Sequence, residues 1–197
     1  LKEPSANRLT TFNSYALHEK EVYSWASTGR QLYEDYDYAT GNTKNYTLSL
    51  PGIVPEDSVW LTTVFAARSI GASTYYSVAV NGKVRGNATL ASISSDNQYY
   101  TRATSASIST SWLGTESENT IVTVIHTRPS GTSGRLDYIA LNYIRSLTLN
   151  APYLTFRSLA SINKETTFVL SGATASTVVW DVTDPANICR MEGSFVG

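Results

Sequence analysis

The sequence contains very little of what disulfides, metal sites and nucleophilic centres are built from. Its 197 residues include one cysteine, Cys189, which excludes an internal disulfide and a cysteine-rich metal site. The two histidines, His18 and His126, are too few for a structural metal site, which usually needs three or four nitrogen or sulfur ligands at close spacing. We therefore predict no catalytic residue, no metal ligand and no cofactor-binding residue in this chain.

Charged residues and long apolar runs are also scarce. Charged side chains make up 16% of the chain and the formal net charge is −1, so the sequence offers no basic surface for nucleic acid. No apolar run approaches the roughly 18–20 residues that cross a bilayer, and no glycine pattern of the phosphate-binding kind precedes a helix. We predict neither a nucleic-acid partner nor a membrane span.

What the sequence has in quantity is tyrosine, serine, threonine and β-branched residues, which favour β-structure. The dipeptide Asn81-Gly82 is a strong signal for a tight hairpin. Strand runs separated by turn signals, with no alternating helices, predict an all-β fold, an antiparallel sandwich resembling a jelly roll. The expected strands are Tyr46–Leu50, Val59–Ala66, Tyr75–Val80, Tyr99–Ala103, Ala106–Ser109, Asn119–Thr127 and Arg135–Asn150, with short strands at Phe156, Phe168–Leu170 and Thr177–Val182.

Two segments allow a more specific expectation. Residues Ser14–Ala26 fit either a helix of about three turns, ended by Gly29, or an extended strand. The run Ile121–Ile125 is apolar or β-branched at every position, which predicts a strand buried on both faces, in the middle of the sandwich or beneath a covering loop.

The same signals suggest a division of the chain. We expect an N-terminal segment at residues 1–40 packed on the sandwich, the sandwich itself at 41–150, and a β-rich segment at 151–197 that leads toward a missing downstream domain. We interpret both ends as trimmed, because the chain opens on Leu1–Pro4 without an initiator Met or a signal sequence and stops at Ser194–Gly197 without an evident closing element.

The few candidate functional residues have unremarkable sequence settings. His126 closes an apolar strand, which indicates a position at the rim of the sheet, and His18 lies among charged residues, which indicates a solvated side chain. Cys189 lacks the small-residue setting that exposes a nucleophile, so we interpret it as an unpaired thiol.

Acidic and aromatic residues suggest two further possibilities. Glu34, Asp35 and Asp37 alternate with tyrosines and can form a calcium or sugar subsite, although a solvated loop anchored by Tyr33, Tyr36 and Tyr38 is the interpretation we favour. Exposed aromatic rings can stack on sugars, whereas buried ones belong to the core. The sequence leaves both options open for Trp60, Trp112 and Trp180, and Asn45–Thr47 and Asn87–Thr89 match the N-glycosylation triplet.

Four stretches, taken in order, resemble one protein family. Gly29–Tyr33 is similar to the segment that opens the region ahead of the peptidase in the sortase of the type IX secretion system. Ala66–Ser69 followed by Val78–Gly82 resembles the strand and hairpin that come next there. Leu136–Tyr143 resembles its most recognisable strand, and Trp180–Pro185 resembles the motif just before the catalytic domain.

The family is that of the gingipain-type cysteine peptidases of Bacteroidetes. The resemblance implies a β-sandwich that precedes a peptidase domain, which removes C-terminal sorting signals from secreted cargo at the cell surface. The catalytic His and Cys of the family lie in that downstream domain, and Cys189 matches none of its catalytic motifs. The stretch Ala186–Cys189 departs from the family, which leaves the domain junction there undefined.

The resemblance implies an accessory domain of a secreted or cell-surface, outer-membrane-associated peptidase or sortase. Its partners would be the downstream peptidase domain of the same polypeptide, together with secreted cargo or the secretion machinery. The residues themselves leave two alternatives: a free-standing carbohydrate-binding module that binds a glycan, and an adhesin-like spacer.

Overall fold

The computed structural model describes residues 3–25, 31–94, 103–114 and 117–196. Over these ranges it contains no α-helix, only a short 3₁₀ turn at Leu159–Ser161, and therefore no helix that could cross a bilayer. The strands are β1 (Arg8–Leu9), β2 (Thr11–Glu19), β3 (Thr43–Ser49), β4 (Ser58–Arg68), β5 (Thr74–Val80), β6 (Lys83–Leu90), β7 (Thr104–Leu113), β8 (Asn119–Thr127), β9 (Ser133–Ser146), β10 (Thr167–Phe168), β11 (Val179–Asp181) and β12 (Cys189–Met191).

Strands β2 to β9 form the two four-stranded sheets of a sandwich. One sheet has the strand order β2-β9-β4-β7 and the other has the order β3-β8-β5-β6. Successive strands change sheet at every connection except the β5–β6 hairpin, which is the connectivity of a jelly roll. The predicted all-β, antiparallel sandwich is confirmed.

The Asn81-Gly82 turn joins β5 to β6 as predicted. Val80 pairs with Lys83 across the turn, and the two intervening residues have φ angles of 47° and 80°. Positive φ at both central positions is what a type I′ turn requires, and its twist matches that of the flanking strands. The local dipeptide therefore sets the register of this hairpin.

The N-terminal segment that fitted either a helix or a strand is a strand. In β2 the side chain of Ala16 packs against the core, while Tyr15 and Leu17 on either side of it are exposed. Burial alternates from one residue to the next here, because one face of the segment is buried and the other is solvated, and this period of two residues is that of a strand. Of the two alternatives for Ser14–Ala26, the strand is correct for residues 14–19, which belong to β2, and the helix is absent from the described residues 14–25.

Two shorter predictions need adjustment. Ala106–Ser109 is part of one ten-residue strand, β7, and the strand expected at Tyr99–Ala103 lies almost entirely outside the described residues. Phe156 is not in a strand. Its ring instead contacts those of Phe12 and Phe168 edge-on, with centroids 6.1 and 5.2 Å away.

The hydrophobic core lies between the two sheets. In β9 the row Ile139, Leu141 and Tyr143 points inward, as the alternation predicts. β8 is central in its sheet, but only one of its faces is buried: Val122 and Val124 are inaccessible, whereas Ile121 is 44% exposed. The expectation of a strand buried on both faces is therefore wrong, because in this sandwich each sheet has a solvent-facing side.

The chain divides into two compact units. The larger unit, residues 14–144, contains the sandwich core described above. The smaller unit comprises residues 1–13 and 145–197; β1 pairs in parallel with β10 there, and β11 forms an antiparallel ladder with β12, a strand that the sequence did not predict. The division expected at residues 40 and 150 stays a prediction.

Candidate functional site

A buried carboxylate lies in the segment between β2 and β3. The side chain of Glu34 is 1% exposed. Its Oε1 accepts a hydrogen bond of 2.6 Å from Lys44 Nζ, and its Oε2 accepts one of 2.6 Å from the Tyr46 hydroxyl. The Tyr46 and Tyr38 hydroxyls lie 3.0 Å apart and extend the network into the core. The solvated loop favoured for this stretch is therefore wrong at Glu34, which is completely buried.

Further basic groups surround the same carboxylate. His18 Nε2 and Lys20 Nζ lie 3.4 and 3.6 Å from Glu34 Oε1, so His18 faces this carboxylate and is not simply solvated. Burial by itself would raise the pKa of Glu34, but the hydrogen bonds from Lys44 and Tyr46 and the charge of Lys44 outweigh it and hold the pKa below its ordinary value. Glu34 is thus an ionised counter-ion with its lone pairs engaged, and this arrangement suits a structural clamp better than a general base.

Asp37 anchors the same segment to the start of β9. Its carboxylate accepts hydrogen bonds from the amides of Ala39 and Gly134 and from the Ser133 hydroxyl, at 2.8, 3.1 and 2.7 Å. Burial opposes ionisation, but these donors and the nearby Arg135 lower the pKa of Asp37 below its ordinary value. The carboxylate is fully occupied within the chain.

Arg135 completes this anchor from the sheet side. Its Nη1 donates to the carbonyls of Glu34 and Asp35, at 3.1 and 2.6 Å, and its guanidinium lies 3.4 Å from the ring centroid of Tyr23. Fixed donors and a stacked ring are typical of an arginine that organises a loop. Among the described residues, no group of three His, Cys, Asp or Glu side chains is placed to hold a metal ion.

His126 lies inside the sandwich and not at its rim, which corrects the expectation. Its ring is stacked on Tyr76 with centroids 4.1 Å apart, and Tyr76 is in turn stacked on Phe65. Neither ring nitrogen has a hydrogen-bond partner among the described residues. Burial, followed by the charge of Arg128, lowers the pKa of His126 to about 4, so the ring is neutral at pH 7.

Gly134 allows this histidine to fit. A Cβ at position 134 would collide with the Tyr76 hydroxyl and the His126 ring. Beside the stack, an open depression of about 390 Å³ is lined by residues 40–42 and 126–128. Arg128 is held there by Nε and Nη2 hydrogen bonds to the carbonyls of Tyr38 and Ala39. The buried ring nitrogens have no surface through which a ligand in this depression could reach them.

The outer face of the β2-β9-β4-β7 sheet presents an exposed indole. Trp60 on β4 is 42% exposed, and Tyr15 and Leu17 on β2 are 54% and 50% exposed. Half of the other twelve side chains that β4, β7 and β9 direct to this side are serine or threonine. We call this surface the outer face and define it by β4 positions 58, 60, 62 and 64, β7 positions 105, 107, 109, 111 and 113, and β9 positions 138, 140, 142 and 144.

The other aromatic side chains considered for sugar stacking differ in how far they are buried. Trp112 is half-buried, packs on the core and carries the Arg85 guanidinium 4.0 Å from its ring centroid. Trp180 is 56% exposed in the smaller unit, where Cys189 is also exposed, with its Sγ 3.6 Å from the Asn187 carbonyl oxygen. Asn45 and Asn87 are both exposed on the outer side of the other sheet.

A solved structure has the same fold as the whole of this chain. The chain is similar to part of dimeric latent PorU from Porphyromonas gingivalis, with a TM-score of 0.80 and 19% sequence identity. The match covers 100% of this chain but only 19% of that one. At this identity the similarity establishes the fold, which agrees with the fold implied by the four family-like sequence stretches.

Other structures are more distant. The CBM36-1 domain of a multidomain xylanase from the hindgut metagenome of Trinervitermes trinervoides gives a TM-score of 0.39 at 9% identity, covering 66% of this chain and 95% of that domain. CBM35 from Cellvibrio japonicus Abf62 gives 0.34 at 13% identity, covering 70% and 91%. Similarity at this level supports no argument about ligands. No family model and no curated protein matches the chain.

Proposed function

We propose that this chain is a non-catalytic β-sandwich accessory domain of a secreted or cell-surface cysteine peptidase or sortase of the gingipain type, belonging to type IX secretion. The observation that supports this most is the fold shared with PorU along the entire chain, together with the order of the four family-like stretches. In such a parent the domain packs on the peptidase domain, or holds secreted cargo or secretion machinery against it.

The chemistry of the larger unit is in keeping with this role. The buried carboxylate of Glu34 is engaged by Lys44 and Tyr46, and the partly exposed carboxylate of Asp37 by backbone amides, Ser133 and Arg135. Groups held in this way stabilise a scaffold and are not free to exchange protons with a substrate. The proposal accordingly assigns no reacting group to this chain.

Peptide hydrolysis by the purified chain tests the non-catalytic part of the proposal. A fluorogenic peptide library should show no turnover above the buffer rate, and the Cys189→Ala variant should be indistinguishable from the wild type. Hydrolysis by the wild-type chain that disappears in Cys189→Ala would overturn the proposal, because Cys189 would then be a nucleophile in its own right.

A carbohydrate-binding module remains the alternative function. The specific observation in its favour is that Trp60 is exposed on a sheet face and not buried in the core. Binding to a glycan is compatible with an accessory domain as well as with a free-standing module, so the two proposals are tested separately.

A further inference from the structure

The outer face carries rows of aligned side chains with one exposed indole among them. Trp60 has Asn142 of β9 on one side and Ser111 of β7 on the other. One step along the strands, Thr62 lies between Ala140 and Ser109 in the same way. These side chains share a face because residues two apart on a strand point to the same side.

β7 contributes an unbroken ladder of hydroxyl groups to this face. The ladder consists of Ser105, Ser107, Ser109 and Ser111, all of them exposed, and extends over about 20 Å at the rise of a β-strand. Each serine hydroxyl can donate one hydrogen bond and accept two, and the Asn142 amide adds two donors and an acceptor. The ladder therefore lies at hydrogen-bonding distance from anything that rests along β7.

None of the positions that define the outer face is occupied by a charged residue. The thirteen side chains are four serines on β7 and one on β4, with Thr62, Asn142, Trp60, Tyr138, Ala140, Val64, Ile144 and Leu113. Charged residues lie at the margins of these thirteen positions: Arg135 of β9 shares a row with Ala66 and Ser105, and Glu19 follows Leu17 by two positions on β2. A charged ligand centred on Trp60 would find no counter-ion among these thirteen positions.

We propose that the outer face binds an uncharged polysaccharide, with Trp60 stacked on a sugar ring and the serine ladder and Asn142 hydrogen-bonded to its hydroxyl groups. A sugar ring presents C–H groups on its face and hydroxyls around its edge, and an indole surrounded by hydroxyl and amide side chains complements both. The absence of charge selects a neutral chain over a uronic-acid or sulfated one.

The composition of the face favours a glycan over a protein as its occupant. Protein interfaces are depleted in serine and alanine, since burying many small hydroxyls against another protein costs desolvation without adding contact area. A polysaccharide supplies hydroxyl partners all along its length. This inference rests on the outer face alone and does not depend on the proposed peptidase parent.

Binding to defined polysaccharides tests the proposal. The purified 197-residue chain would be mixed with amorphous cellulose, xylan, mannan and laminarin, and with polygalacturonate as an anionic probe, and depletion from solution and indole fluorescence would be followed. At least one neutral polysaccharide should bind. Trp60→Ala should weaken that binding about tenfold or more, which corresponds to about 1.4 kcal/mol.

Matched variants separate loss of the site from loss of the fold. Tyr75→Ala removes a ring of similar exposure, 51%, from the other sheet and should leave affinity unchanged. Ser109→Lys introduces a charge into the ladder and should weaken binding, whereas Ser109→Thr keeps the hydroxyl and should retain it. Thermal melting of each variant confirms that the sandwich is intact.

Three results would overturn the proposal. The first is that folded wild-type chain binds none of the neutral polysaccharides. The second is equal affinity of Trp60→Ala and wild type, or stronger binding to polygalacturonate than to any neutral chain. The third is that Trp60→Ala abolishes only self-association of the chain, measured by analytical ultracentrifugation, which would make the outer face an interface between copies.

Discussion

Glu34 is a residue whose role could not be read from its neighbours in the sequence. Acidic residues alternate with tyrosines there, a pattern usually associated with a solvated loop. In the structure its carboxylate is paired with Lys44 and Tyr46 of β3 and approached by His18 of β2. Because β2 and β3 belong to different sheets, the contacts of Glu34 connect the two sheets of the sandwich.

Removing this charge should destabilise the fold. We expect Glu34→Gln to lower the free energy of unfolding by about 3 kcal/mol, since Lys44 would lose its buried partner. The control is Asp35→Asn, whose carboxylate is 64% exposed and lies 3.9 Å from Lys20; it should change stability by less than about 0.5 kcal/mol. Urea denaturation measures both. Equal stability of the two variants would contradict the clamp assigned to Glu34.

His126 makes a prediction about pH. Its folded-state pKa of about 4 lies below the ordinary value of 6.5, so between these values the unfolded chain binds more protons than the folded one. Stability should therefore fall as the pH is lowered from 6.5 toward 4. His126→Phe keeps the stack on Tyr76 and cannot be protonated, so its stability should change less over this window. Urea denaturation at several pH values checks this, and identical slopes for the two proteins would contradict it.

Among the structural elements, the Asn81-Gly82 turn is the one whose backbone geometry follows most directly from its sequence. Gly82 has a φ of 80° with open space around the position of a Cβ. Gly82→Ala should therefore cost about 1 kcal/mol of stability through backbone conformation alone. Gly193→Ala, also in open space but without a positive φ, should cost almost nothing by comparison. Equal melting temperatures for the two variants would argue against a type I′ turn.

Alternation and turn chemistry made most of the sandwich predictable, because they act over a few residues. They located β4, β5, β8 and β9 and the inward row Ile139, Leu141 and Tyr143. They failed where the structure of a segment depends on contacts with distant parts of the chain. The choice between helix and strand for β2 required knowledge of which face is buried. His126 was assigned to the rim of the sheet, although its ring lies inside the sandwich. The serine ladder was not singled out from the sequence, and its position beside Trp60 depends on the β4–β7 register.

At the scale of the whole molecule, the larger unit is a sandwich in which Glu34 and Asp37 are paired within the chain. Its Trp60 is exposed on an outer face whose thirteen defining positions carry no charge. The fold that this chain shares with PorU covers 19% of that chain. The role proposed above places the chemistry elsewhere in a longer protein. The proposed role therefore predicts that this domain is needed for the processing of large substrates and not for the cleavage of the peptide bond itself.

The accessory role is tested by deleting residues 1–197 from the parent protein. Cleavage of a short fluorogenic peptide and processing of a full-length secreted cargo would be measured side by side, for the deletion and for Cys189→Ala. For an accessory domain, the deletion should retain peptide cleavage but lose cargo processing, and Cys189→Ala should retain both. Loss of short-peptide cleavage in Cys189→Ala would contradict this role, as would a deletion that leaves cargo processing at the wild-type rate.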